Sequence, residues 1–447
     1  MSETGEPGLR DLLARTGPTW LAGAIAAGPA TMASLLTAGA TFGYDLLWVV
    51  VLSATLGAIA QYLASRLGLL SGEGIVTTVE RVLGEGWAWL LVIDVVLASG
   101  LAQLVIMRTV ADVSSTVTGV DARIWAVAWA LVLAVGLAGG GYRVAEIGAK
   151  LLVSAVVIAF VASLAVVPID GGGAAAGLVP RIPAGIEGAL LAAGILGGAV
   201  HITLITMQTY TVRARGWTTD DIRLAKLDVG VSMIVAFGGY SLAIFLVTAA
   251  VLHSPEVTAS ELSPTSAAQA LGPLVGENAQ RLFLLGLWGA AVSTLGGNTV
   301  VPPYLVADKL GWGTDVSDPR YRALIVVVAL LSAGGAFLGG ALFPLLALVL
   351  AFGLVGTPFA VALVLVLLDS EAVPGRTSTA ANLGGLAVFA VGVATAGRFV
   401  LSRAGTATTD PISAVVVAFA AVFGIATLAL GVRFLRDRYA VAGATGS

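Results

Sequence analysis

Long apolar runs separated by short polar segments extend along the whole chain, and none of them shows the alternation of a half-buried strand. A hydrocarbon core of about 30 Å needs roughly 20 apolar residues per helix, and only helices or closed barrels satisfy their backbone inside it. The unalternating runs exclude the barrel. Hydropathy and turn residues predict twelve spans, at about 18–43, 46–70, 86–111, 123–141, 146–168, 184–212, 228–252, 279–301, 321–340, 342–368, 379–401 and 411–434. Residues 1–17 read as a cytoplasmic leader, 18–434 as one transmembrane domain and 435–447 as a cytoplasmic tail.

Two spans are interrupted. Span one contains "AAGPATMAS", where Gly28, Pro29, Thr31 and Ser34 fall in the middle of a membrane-length helix. Proline inside a helix removes a hydrogen bond and costs roughly 3 kcal/mol in water, more where water cannot replace the bond. Span six contains "GILGGAVHITLITMQTYT", with the Gly197-Gly198 pair followed by His201, Thr203, Thr206, Gln208 and Thr209. Broken backbone survives at membrane depth where protein buries it or where it lines a cavity, and in many secondary transporters it forms the binding site. Spans one and six hold matching places in two five-helix halves, about 18–168 and 184–368, with further helices at about 379–434. This is the spacing of an inverted-repeat transporter.

Composition narrows the class. Of 447 residues, 58% are hydrophobic and 11% charged, and the mean hydropathy is +0.98, so the chain belongs in a bilayer. Its net charge of -3 is spread among loops, which gives no footprint for nucleic acid. The absence of cysteine removes disulfides, thiolate metal sites and thiol nucleophiles together. With the N-terminus inside, 17 of the 23 basic residues fall on the inner side, so the positive-inside rule places both termini in the cytoplasm of a multi-pass protein of the cell (inner) membrane. No H-E-x-x-H helix, G-x-S-x-G elbow or G-x-x-x-x-G-K-[ST] loop is present, which argues against an enzyme and against ATP-driven transport. No cofactor is expected.

The segments "GPTWLAG", "TAGATFGYDLLWVVV", "QYLASRLGLLSG", "YRVAEIGAKLLVSAV", "LFLLGLWGAAVSTLGG" and "GTPFAVALVLVLL" resemble the NRAMP divalent-metal transporters over nearly the whole length. The resemblance implies an all-α, LeuT-like bundle of two inverted five-helix repeats with about 12 transmembrane helices, 11 being the other count. It also implies unwinding of helices 1 and 6 at mid-membrane and alternating access to a site between them. The family's Asp-Pro-Gly-Asn motif falls on Gly28, Pro29, Ala30 and Thr31, so its metal-binding carboxylate is missing. Its Met-Pro-His motif falls on His201, Ile202 and Thr203, its metal-binding Gln on Leu350, and the acidic pair of span three near Gly100 and Gln103.

The candidate substrate-binding residues are therefore Gly28, Pro29, Thr31, Gly198, His201 and Thr203, and the proton or ion pathway candidates are Asp94, Gln103 and His201. Metal ligands stay undefined, because the usual positions hold Gly28, Thr31, His201 and Leu350. His201 reads either as a hydrogen-bonded packing residue or as a proton or ligand sensor, since its ordinary pKa of about 6.5 suits both. Asp94, the one carboxylate well inside a span, either faces the bundle or is solvated near a span end. Asn298, in "STLGGNTVVPP", is expected to cap or turn a fraying span eight. Glu146 and Lys150, four apart, are expected to pair.

The leading reading is a secondary transporter, a symporter on the family pattern, that moves a cation, nominally a divalent metal, by alternating access. The alternatives are transport of a hydrated Mg²⁺-like ion or a small organic solute, and a non-transporting membrane protein on the same fold. The partners are the transported ion or solute and the bilayer; the sequence is silent on oligomeric state.

Overall fold

The computed structural model describes residues 28–139, 143–254, 256–375 and 377–445, with side chains described up to Arg436. The leader, the first part of span one and "GPTWLAG" lie outside these residues. So do Arg376 and the side chains of Arg143 and Arg438.

Among the described residues, eleven helices are long and apolar enough to cross a membrane. Span one adds its described part, Pro29–Phe42. Spans two to five are Leu47–Ser71, Glu85–Thr118, Ala122–Gly139 and Arg143–Ser163. Span six is divided into Gly185–Ala199 and Ile202–Ala214. Span seven runs from Ile222 to Val251 and contains a π-helical stretch, Val231–Gly238. Spans eight to twelve are Ala279–Leu310, Pro319–Leu331, Leu342–Asp369, Thr379–Ala404 and Pro411–Thr445. A short helix, Ile75–Leu83, joins spans two and three, and the Glu146–Lys150 pair forms at 2.5 Å.

Span eight departs from its expected end at 301. It continues through Pro302 and Pro303 to Leu310, so Asn298 stands in the middle of a helix and neither caps nor turns it. The two prolines remove the N–H groups that the carbonyls of Asn298 and Thr299 would accept from, a defect that buried membrane helices accommodate among their neighbours. Span twelve likewise continues beyond 434.

Spans six and ten form the centre: 89% and 78% of their apolar windows are buried, against 22% for span four and 28% for span twelve. Lipid is as apolar as leucine, so helix association here depends on close packing of small residues. A Cβ at Gly197 would overlap the Leu350 carbonyl, and one at Gly194 would crowd that of Ala347. These glycines bring span six against span ten backbone to backbone. Peripheral helices instead show Val135, Leu401 and Leu428 to their surroundings.

At one end of the bundle spans six and eight are tied to the short helix. Asp308 accepts from Tyr210 at 2.7 Å and from Thr77 at 3.0 Å. Lys309, with a side chain only 4% exposed, pairs with Glu80 at 3.2 Å and Glu85 at 3.5 Å and lies over the Trp89 ring.

Candidate functional site

At the interruption that the sequence marks in span one, the described helix starts. Gly28 is the N-cap and Pro29 occupies the first turn, where its missing N–H costs nothing and its fixed φ favours the helix. Met32 donates back to the Gly28 carbonyl at 3.1 Å, and no side chain caps this end. The first-turn N–H groups at such an end have no partner within their helix and carry its positive dipole.

The break in span six falls at Val200 and His201, just after the glycine pair that the sequence pointed to. Gly197 and Gly198 remain helical, and their role is close approach: a Cβ at Gly198 would lie 2.7 Å from Thr31 Oγ1. The carbonyl of Val200 accepts from the Thr357 hydroxyl at 2.9 Å. His201 caps the second half, its Nδ1 accepting from the Thr203 N–H at 3.3 Å. That hydrogen bond assigns the tautomer, because an accepting Nδ1 leaves the ring proton on Nε2.

The helix start at Gly28 and the break in span six line one cavity of about 80 Å³. Gly28, Pro29, Thr31, Gly198, His201 and Thr203 all line it, together with Ala30 and Leu204. Span three contributes Ala102 and Ile106, span eight Thr294 and Asn298, and span ten Val349 and Leu350. The six residues named from sequence thus line one cavity. Thr203 Oγ1, Thr294 Oγ1 and His201 Nε2 have no hydrogen-bond partner, although His201 and Thr203 are more than nine-tenths buried. No carboxylate and no thioether is among the lining residues. Among the described residues, no group of three or more His, Cys, Asp and Glu side chains is placed to hold a metal ion.

Thr294, Asn298 and Thr357 were not singled out as site residues. The signal for the first two was their four-residue spacing, which puts both on one helical face once span eight is helical through this region. Gln103 lies beside the cavity and not in it. Its Nε2 donates to Thr299 at 2.7 Å, while Asn298 Nδ2 donates to Gln103 Oε1 at 3.0 Å and to the Ser99 carbonyl at 2.7 Å. Asp94 faces elsewhere, toward Gly356 of span ten, fully buried and with neither oxygen hydrogen-bonded.

A family model described as natural resistance-associated macrophage protein-like matches residues 19–402. The chain belongs to this family. It is 28% identical over 377 residues to the divalent metal cation transporter MntH of Mycobacterium tuberculosis, covering 80% of this chain and 84% of that protein. It is 29% identical over 329 residues to the MntH of Aeromonas hydrophila, covering 68% and 76%. Among solved structures it resembles the Eremococcus coleocola manganese transporter, at a TM-score of 0.75 over 97% of both chains with 16% identity, which fixes the fold. This NRAMP member is an all-helical, LeuT-fold, multi-pass membrane protein.

Proposed function

We propose that this NRAMP member is a secondary transporter that moves a cation by alternating access through the cavity between the breaks in spans one and six. What supports this is that the helix start at Gly28 and the break at Val200 and His201 line one cavity, three of whose lining residues, Thr203, Thr294 and His201, each carry a polar atom without a hydrogen-bond partner. The inner membrane, with both termini cytoplasmic, is the setting that the distribution of basic residues supports.

The names of the relatives make a divalent metal the first cargo class. The lining residues favour one form of it. A bare divalent ion surrenders its hydration shell on entry, and hydroxyls, an imidazole and a carboxamide without a negative side chain do not offset that loss. Mg²⁺ dehydrates reluctantly and is usually bound with several waters retained. The cavity has room for several water molecules. The cargo is therefore a divalent ion that keeps its waters, held by Thr31, Thr203, Thr294 and Asn298.

One observation favours the second reading, a small organic solute. The N-terminal ends of two helices, at Gly28 and at His201, line the cavity, and their positive dipole ends suit an acceptor oxygen.

Flux into proteoliposomes containing the purified chain, with Mg²⁺, Mn²⁺ and a small zwitterion tested with and without a pH gradient, separates these readings. Saturable Mg²⁺ uptake that Thr203→Val weakens supports the hydrated ion. Uptake of Mn²⁺ in strong preference to Mg²⁺ overturns it, and uptake of the zwitterion alone moves the assignment to the second reading.

A further inference from the structure

Spans three, four and eight line a second cavity, of about 210 Å³, whose lining shares no residue with that of the cargo cavity. Each helix contributes side chains three or four apart, the spacing that puts them on one face. Span three supplies Ser114 and Thr118, span four Trp125 and Trp129, and span eight Trp288; valines and a leucine complete the wall. Spans three and eight run in opposite directions, since Glu85 at the start of one meets Lys309 at the end of the other. The cavity is therefore at the end of the bundle away from Asp308, where span four begins at Ala122.

The ordinary role of tryptophan at a membrane interface does not account for two of these rings. A belt indole keeps its ring among lipid and turns its N–H to water or headgroups. Here Trp288 donates its Nε1–H to Ser114 Oγ at 3.0 Å and Trp125 to Thr118 Oγ1 at 2.9 Å, so both donors are spent inside the protein. Thr118 Oγ1 also accepts from the Val120 N–H and donates to the Ser114 carbonyl, which uses its hydroxyl completely. What this wall has left to offer is ring surface. Trp129 and Trp288 stand 5.4 Å apart at 73°, and two rings near a right angle wall a corner with a face of each. Indole faces are negative and attract a cation within about 6 Å of the ring centroid.

We propose that this cavity holds the trimethylammonium head of a bilayer phospholipid. The chemistry separates that head from its unmethylated counterpart. A primary ammonium brings three N–H donors and loses their water on entry, while the lining contains no carboxylate and its hydroxyls retain a lone pair only on Ser114. A quaternary ammonium has no N–H to satisfy, and its methyl groups carry the charge against the rings. An apolar cavity of about 150 Å³ accepts benzene, so this one admits a group of that size. The lipid source follows from place. Val117 and Ile124 on either side of the turn between spans three and four are exposed, and only 22% of the apolar window of span four is buried, so lipid surrounds the cavity. The proposal is independent of the cargo reading.

Calorimetric titration of the purified full chain in maltoside detergent, with dihexanoyl phosphatidylcholine and separately with dihexanoyl phosphatidylethanolamine, reads the choice of head and needs no cargo. The choline head should bind about tenfold more tightly. Trp129→Leu keeps apolar bulk and removes one ring of the corner, so it should bring the two affinities together. Trp125→Leu, one turn earlier on a peripheral helix, should narrow the gap and carries the test if melting curves show that Trp129→Leu does not fold. Equal affinities in the wild type, or a choline preference unchanged in the folded variants, overturns the proposal. Free choline that binds as tightly as the lipid overturns the assignment to a lipid, because the acyl chains then add nothing. No metal enters the titration, so failure of the cargo reading leaves this site standing.

Discussion

Thr357 donates its hydroxyl to the Val200 carbonyl at 2.9 Å and to its own Gly353 carbonyl at 3.0 Å, so span ten supplies the partner that the break in span six removes. The break is held open by a side chain from a neighbouring helix, and the same turn of span ten carries the glycine against which His201 rests. Thr357→Val keeps the shape and deletes the hydroxyl. An unmade buried hydrogen bond costs about 1–3 kcal/mol, so the variant should melt lower in detergent and transport more slowly, while Thr357→Ser retains both properties. Equal melting of the Val and Ser variants would exclude this role.

At Gly197 the backbones of spans six and ten come together without a side chain between them. Gly197→Ala forces a methyl into the Leu350 carbonyl, and backbone cannot rotate away as a side chain can. Overpacking of this kind costs about 1–3 kcal/mol, and here it should also separate the two central helices. A variant with wild-type melting and wild-type flux would refute it.

The Asp308 cluster ties span six to span eight and to the short helix, and it must release if the cavity is to open at that end. Asp308→Ala removes the acceptor shared by Tyr210 and Thr77. Because the chain contains no cysteine, a single Thr203→Cys reporter can be read in the otherwise unaltered protein. Maleimide applied from the side of Asp308 should label that reporter several-fold faster when Asp308→Ala is added. Unchanged labelling would show that the cluster does not restrain opening.

Arg215 and Asp228 form a pair at 2.8 Å, with side chains 11% and 2% exposed. Removing one partner from a buried pair leaves an uncompensated charge, at a cost of about 3–5 kcal/mol. Arg215→Met should therefore destabilise strongly, and adding Asp228→Asn should recover a large part of the loss. Additive losses in the double variant would show that the two side chains do not depend on each other.

Outside the membrane, Asp318 caps span nine. The side chain of Arg320, and then the backbone N–H groups of Arg320 and Gly313, hold its carboxyl well below the ordinary carboxylate range. Its folded value lies below its unfolded one. The stabilisation is thus complete above the unfolded value and disappears only as pH falls through the depressed one. Melting curves of the wild type and Asp318→Asn should differ at neutral pH and converge in strong acid. Convergence already near pH 6 would assign the stabilisation to another group.

Hydropathy placed the helices well because bilayer thickness dictates their length, while their ends shifted: span eight runs nine residues past 301, span twelve past 434 and span three to Thr118, span seven starts at Ile222, and the α-helix of span nine stops at Leu331. That Gly28, Pro29, Thr31, Gly198, His201 and Thr203 come together around one cavity was legible because a break at membrane depth has few structural solutions. Asn298 was misread because the prolines behind it signal a helix end in water, whereas packed neighbours carry the helix past them. Thr357, Gly353 and Gly356 could not be recognised in advance. Their importance lies in what stands opposite them, and one sequence does not show which helix faces which.

The strip of span ten from Gly353 to Gly356, where added Cβ atoms would overlap His201 Nε2 and the Asp94 oxygens, also determines how this protein can change. Its width is fixed by two absent carbon atoms, and no substitution can restore one without displacing a polar group beside it. Thr203, Thr294 and Asn298 meet the cavity through side-chain atoms instead. Descendants of this chain that acquire a different cargo would vary at these three positions while both glycines persist.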